Sequence, residues 1–213
     1  MKQLAAVTFF CMLCIVSFTI PAADSELGLS LTALDHYIKK PDSSYKYEII
    51  NTINEEGYKT FVLEMTSQQW LTEAEVNFPI WEHFMIVIVP DVVKSDIGFL
   101  TITGGSKANN APAAPLQTDV KRALETSTVV STLYMVPNQP LIFSDDGGIQ
   151  RTEDAIIAYT WDKHLKTGNN KWPLRLPMTK AAVRAMDTVT NLMASSQGGG
   201  IKVEQFVVAG GSK

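Results

Sequence analysis

The chain has 213 residues, 46% of them hydrophobic and 19% charged, which places it among ordinary globular proteins and excludes a disordered or fibrous class. With 18 basic against 22 acidic side chains the formal charge is −4, so no basic face recommends nucleic acid as a partner. The length suffices for one well-filled core, or for part of a larger domain.

Residues 1–25 have the order of a secretory leader: Lys2, an apolar stretch from Leu4 to Ile20, then the small residues Ala22 and Ala23. A membrane anchor is the competing reading, since the stretch is near the lower length limit for a span. Charge on one flank only, and "PAADS" at its end, favour cleavage. Residues 1–23 are then a signal peptide, and 24–213 a secreted chain with no membrane association. Cys11 and Cys14 both fall in the leader, so the mature chain is expected to carry no disulfide, cysteine metal site or thiol nucleophile.

Strands come next. "YKYEIINTI" (Tyr45 to Ile53) and "KTFVLEMT" (Lys59 to Thr66) are β-branched and aromatic runs joined by "NEEGY", which predicts a hairpin. "HFMIVIVPD" (His83 to Asp91) and "GFLTIT" (Gly98 to Thr103) are continuously apolar, as strands covered on both faces are. "STVVSTLYMV" (Ser127 to Val136) is a further strand, and "IKVEQFVVA" (Ile201 to Ala209) the last, after a flexible "QGGG". Helices are predicted over Pro115 to Thr126, from the N-cap Thr152 to Gly168, and over Met178 to Ser196 after Pro177. In the third, Ala182, Val183, Met186, Val189 and Met193 form an apolar face, read as packing. "KANNAPAAP" and "NNKWPLRLP" read as surface loops. About six strands, the later ones separated by helices, argue for an α/β fold.

The chain ends on "FVVAGGSK" (Phe206 to Lys213), and "GGSK" also follows the apolar run at Gly104 to Lys107. A strand entering Gly-x-Ser is how a nucleophile elbow begins: a sharp turn lifts the serine hydroxyl above the carboxyl edge of the sheet. Ser212 is the candidate nucleophile. In α/β-hydrolases one oxyanion amide follows the nucleophile and the other comes from a loop after an earlier strand. Those places fall to Lys213 and to Gly104, Gly105 and Ser106; on spacing alone, a bland terminal tail and a plain Gly-rich connection are the competing readings.

"MTSQQWLT" (Met65 to Thr72), "VPNQPLIFSDD" (Val136 to Asp146), "EDAIIAYTWDK" (Glu153 to Lys163), "WPLRLPMTKAAVRAMDTVT" (Trp172 to Thr190) and "FVVAGGSK" together make the chain resemble the PhoPQ-activated pathogenicity-related family, which includes the autocrine proliferation repressors of social amoebae. The resemblance runs from about Leu31 to Lys213. It implies the amino-terminal half of an α/β-hydrolase, a mostly parallel sheet with an antiparallel amino-terminal hairpin, ending at the nucleophile elbow with Ser212 matching the nucleophile. The order Ser-Asp-His then places the acid and the base beyond Lys213, and the chain as it stands is expected not to turn over substrate. No cofactor or metal is implied.

Other residues compete for roles. His36, His83 and His164 all precede Ser212, the wrong order for the base of this fold. Asp145 and Asp146 in "SDDGG" lack the spacing of a calcium loop and read as a turn. Trp70, Trp81, Trp161 and Trp172 are read as core. The expected parent is a secreted serine hydrolase of ester or peptide substrates. The alternative is an extracellular signalling protein that uses the same fold to bind a cell-surface receptor.

Overall fold

The computed structural model describes residues 30–211. The predicted leader with its two cysteines, and Ser212 and Lys213 at the other end, lie outside the described residues.

The first element is the helix α1 (Ala33–Lys39), opened by a reciprocal cap in which Asp35 N–H donates to Thr32 Oγ1 and Thr32 N–H donates to Asp35 Oδ2. Strands β1 (Lys46–Glu55), β2 (Tyr58–Gln69) and β3 (Ile80–Pro90) follow as an antiparallel meander. Then come β4 (Ile97–Ile102), α2 (Gln117–Thr126) and β5 (Val130–Leu133). Two short strands, β6 (Leu141–Ile142) and β7 (Gln150–Arg151), bracket a turn before α3 (Glu153–Thr167), α4 (Arg175–Ala194) and β8 (Gln205–Gly210).

The main sheet has the order β1-β2-β3-β5-β4-β8. Strands β5, β4 and β8 are mutually parallel, and β3 pairs antiparallel to β5, so the antiparallel part extends one strand beyond the expected hairpin. The result is the predicted α/β class, a mixed sheet with helices on both faces.

Two cores explain the continuous apolar runs. Phe61, Leu63 and Met65 of β2, with Met85 and Val87 of β3, face Ala181, Ala185, Val189 and Leu192 of α4. The alternate residues Val62, Ile86 and Ile88 face Val120 and Ala123 of α2. A strand buried on both sides has no polar face to alternate with. Strand β1, by contrast, lies at the sheet edge, is largely exposed, and carries a bulge between Ile49 and Asn51.

Boundaries moved for local reasons. Ser127 is the left-handed cap of α2 (φ 52°) and Met135 turns the chain again (φ 63°), which trims the predicted ten-residue strand to the four residues of β5. Helix α4 begins before Pro177, not after it; a proline in the first turn costs nothing, because its absent N–H has no partner there. The predicted surface loop "NNKWPLRLP" therefore ends inside that helix, with Trp172 and Leu174 buried. "QGGG" is a closed turn rather than a flexible link: Ser195 Oγ donates to Leu192 O (2.6 Å), Gly198 N–H to Ser195 Oγ (3.2 Å) and Ile201 N–H to Met193 O (2.8 Å). Residues 201–204 then run outside the sheet, placing Val203 in the core and tying Glu204 N–H to Asp96 O.

A buried polar chain fastens α1 to this scaffold. Tyr37 Oη donates to Gln68 Oε1 (2.8 Å), and Gln68 Nε2 donates to Pro177 O (2.7 Å) in the first turn of α4. The bulge between Thr66 and Gln68 turns both Ser67 and Gln68 inward. Beside them the buried Lys180 donates to Lys40 O (3.0 Å), and burial lowers its pKa against the pull of Asp42.

Candidate active site

Strands β4 and β8 pair with Ile102 opposite Gly210, so their carboxyl ends finish level at one edge of the sheet. Gly104, just beyond β4, and Gly210 and Gly211 at the end of β8 line a single cavity of about 460 Å³. Val136 and Pro137 form part of its wall, and Met178, Ala182 and Met186 of α4 another. The apolar face of α4 thus divides: Val189 and Met193 are core, while Ala182, Val183 and Met186 look into the cavity. Glu153 and Arg175, the first residues of α3 and α4, bring the charges.

The loop after β4 has a specific backbone geometry. Thr103 O accepts from Val136 N–H (3.1 Å), and Gly104 O accepts from Met135 N–H (3.0 Å). In a regular strand successive carbonyls point to opposite sides; here two in succession face the segment after β5. A trans peptide carries its N–H opposite its C=O, so the amides of Gly104 and Gly105 turn together toward the flank of β4 on which β8 lies. Neither amide has a partner among the described residues. Adjacent amides aimed one way form an anion-binding concavity. Ser106 differs: its N–H donates to Asn109 Oδ1 (2.7 Å) and its Oγ accepts from Ala108 N–H (3.2 Å). Of the three loop residues expected at the site, the fold directs the Gly104 and Gly105 amides toward β8 and commits Ser106 to its own turn.

Gly105 is required by this geometry. Its φ is +141°, and a Cβ there would lie 3.2 Å from Met135 Cγ and 3.4 Å from Met135 N. Gly105→Ala is expected to destabilise the protein by about 2 kcal/mol, read as a lowered urea midpoint at unchanged m-value. An unaltered midpoint would show that the loop relaxes without strain.

None of the three histidines lines this cavity. His36 is exposed on α1, and His164 on α3 has Nδ1 3.1 Å from Asn169 O, the geometry for donation to that carbonyl. His83 is wholly buried in β3: Nδ1–H donates to Tyr134 O (3.0 Å), which leaves Nε2 to accept from Ser67 Oγ (3.0 Å). Burial pushes its pKa down to about 4, reinforced by Lys107. Asp146 pairs with Arg151, and Asp145 accepts from Lys163 and Tyr159, which holds its carboxyl below the usual range. Trp70, Trp81 and Trp172 are core, whereas Trp161 is exposed.

The structure adds residues that sequence reasoning passed over. In "VPNQP" the side chain of Asn138 brackets β3, accepting from Glu82 N–H (3.0 Å) and donating to Glu82 O (2.7 Å), and Gln139 reaches the glycine loop. Two amides flanked by prolines were the available sign, since such a stretch is rigid and has side-chain donors to spend.

Fold and site together define an α/β protein with a cavity at the carboxyl edge of its parallel strands, where an α/β-hydrolase carries its chemistry. More particularly, the chain belongs to the PhoPQ-activated pathogenicity-related protein family, whose model matches residues 34–213. It is 40% identical over 184 residues to autocrine proliferation repressor protein A of Dictyostelium discoideum, covering 85% of this chain and 36% of that protein. The chain thus spans little more than a third of the length of that curated relative. Among solved structures, a Bacteroides fragilis protein described as an acetyl xylan esterase is 16% identical with a TM-score of 0.46, over 84% of this chain and 44% of that one. A glucuronoyl esterase of Solibacter usitatus is 12% identical with a TM-score of 0.43, over 84% and 50%.

Proposed function

We propose that the protein is a secreted serine hydrolase acting on an ester or peptide, with Ser212 as nucleophile and the amides of Gly104 and Gly105 as oxyanion donors. The observation that supports this best is the level pairing of Ile102 with Gly210, which brings Gly104 and the end of β8, Gly210 and Gly211, onto one cavity. Attack by Ser212 Oγ on a carbonyl in that cavity develops negative charge on the carbonyl oxygen, and two unpartnered amides aimed from the β4 side are suited to receive it. In this fold the acid and the histidine follow the nucleophile in the chain, so the reading concerns the whole protein. The test is fluorophosphonate labelling of the full-length protein. Covalent label is expected on the wild type and absent from Ser212→Ala; no label, or equal label on both, overturns the reading.

The name of the Dictyostelium relative favours a second reading, an extracellular signal that restrains proliferation through a cell-surface receptor. A fold does not fix a function, and the two readings separate on one variant. If Ser212→Ala still restrains growth of responding cells, the signal does not depend on hydrolysis.

A further inference from the structure

We infer that Gln139 is a positioning residue for the oxyanion site: a single side chain, held on a rigid segment, that sets the orientation of the Gly104–Gly105 amides. The inference rests on the hydrolase reading above.

Its geometry is as follows. Gln139 is buried, and its Nε2 donates to Gly105 O (2.9 Å). Its Oε1 accepts from Glu153 N–H (2.8 Å) at the start of α3. Its own carbonyl accepts from Lys107 N–H (2.9 Å), two residues beyond Gly105. One residue therefore grips the loop at two points and ties it to a cavity-lining helix terminus. With both polar ends of the amide engaged, the assignment of its oxygen and nitrogen follows from its partners: a carbonyl on one side, an N–H on the other.

The arm that carries Gln139 is itself fixed. Proline occupies 137 and 140, restricting the backbone on both sides. Asn138 bonds both backbone groups of Glu82 and also donates to Met135 O (3.1 Å). The glycine loop is held less firmly, through the bonds of Thr103 O and Gly104 O to the segment after β5. Gly104 has open space around it, and the φ of Gly105 leaves the following peptide free to turn unless Gly105 O is held. If that carbonyl is released, the Gly105–Ser106 peptide turns freely and the Gly105 N–H is held from one side alone, through the bond of Gly104 O to Met135 N–H (3.0 Å), so its direction loosens. Misdirected donors lose their value in the transition state while the apolar wall that binds substrate is untouched.

The test uses the full-length protein with p-nitrophenyl acetate as probe. Gln139→Leu removes both side-chain bonds at similar volume; kcat is expected to fall on the order of 100-fold with KM within about threefold. Amide hydrogen exchange at Glu153 and Lys107, whose N–H groups donate to Gln139, should quicken in the same variant. Gln139→Glu guards against a folding defect: it keeps the acceptor for Glu153 N–H but sets a carboxylate against Gly105 O. Its kcat relative to wild type should rise as pH falls, since a protonated carboxyl again donates to that carbonyl. Wild-type kcat in Gln139→Leu, or a pH-independent ratio for Gln139→Glu, overturns the inference while leaving Ser212 labelling intact. A wild type that neither labels nor hydrolyses overturns both readings together.

Discussion

Gly198→Ala is expected to destabilise the protein by about 3 kcal/mol, although this glycine has no positive φ and does not line the cavity. A Cβ at this position would lie 2.1 Å from Leu192 O and 2.5 Å from Met193 Cα. Both obstacles are backbone at the end of α4, so no side chain can swing aside. Accommodation requires opening the turn in which Ser195 and Ile201 bond the last carbonyls of the helix and Gly198 N–H donates to Ser195 Oγ. That turn places Val203 in the core and aims the chain at β8, so strain here is transmitted to the pairing of β8 with β4. Urea unfolding of wild type and variant decides the matter. A loss under about 1 kcal/mol would mean that the turn rearranges without disturbing the helix end.

Acid should weaken the fold through His83. The buried imidazole has its pKa pushed down to about 4, whereas in the unfolded chain the ordinary value is about 6.5. Between those values the unfolded chain takes up a proton that the folded one refuses, so stability is full above about pH 6.5 and declines as pH falls toward 4. The slope for one proton is about 1.4 kcal/mol per pH unit, giving a loss on the order of 3 kcal/mol over the window. The physical source is burial between Ser67 Oγ and Tyr134 O, which satisfies the neutral ring and leaves a cation unsolvated. Denaturant curves from pH 7 to pH 4.5 should show that slope in the wild type. In His83→Gln, less stable at pH 7, it should be shallower by one proton. Equal slopes in the two proteins would assign the acid sensitivity to other groups.

Much of the fold was legible because its signals are local. The unbroken apolar runs of β2, β3 and β4 follow from burial on both faces, and Gly168 ends α3 as a left-handed cap (φ 65°) with its N–H on His164 O. What escaped depends on tertiary partners. The shortening of β5 reflects a positive φ at Met135, beside Gly105, which no strand propensity reveals. Trp161, read as core with the other three tryptophans, lies exposed on α3 beside the His164 ring, because that face of the helix has no element packed over it among the described residues. At the site, the position of Gly104 just past the end of β4 was readable from the strand before it. The roles of Asn138 and Gln139 were not, because each reaches partners across other elements. Nor does a chain of letters tell that the Ser106 amide is already engaged by Asn109.

The bulged outer strand β1 bears on how molecules of this protein meet one another. Its residues Lys46, Glu48 and Glu55 carry charge along the rim of the sheet, and the kink at Ile49 and Asn51 interrupts the even spacing of its free backbone groups. A second chain seeking to dock alongside by strand addition would meet charge and a broken ladder rather than a straight template. At that margin the sheet is built to stay solitary.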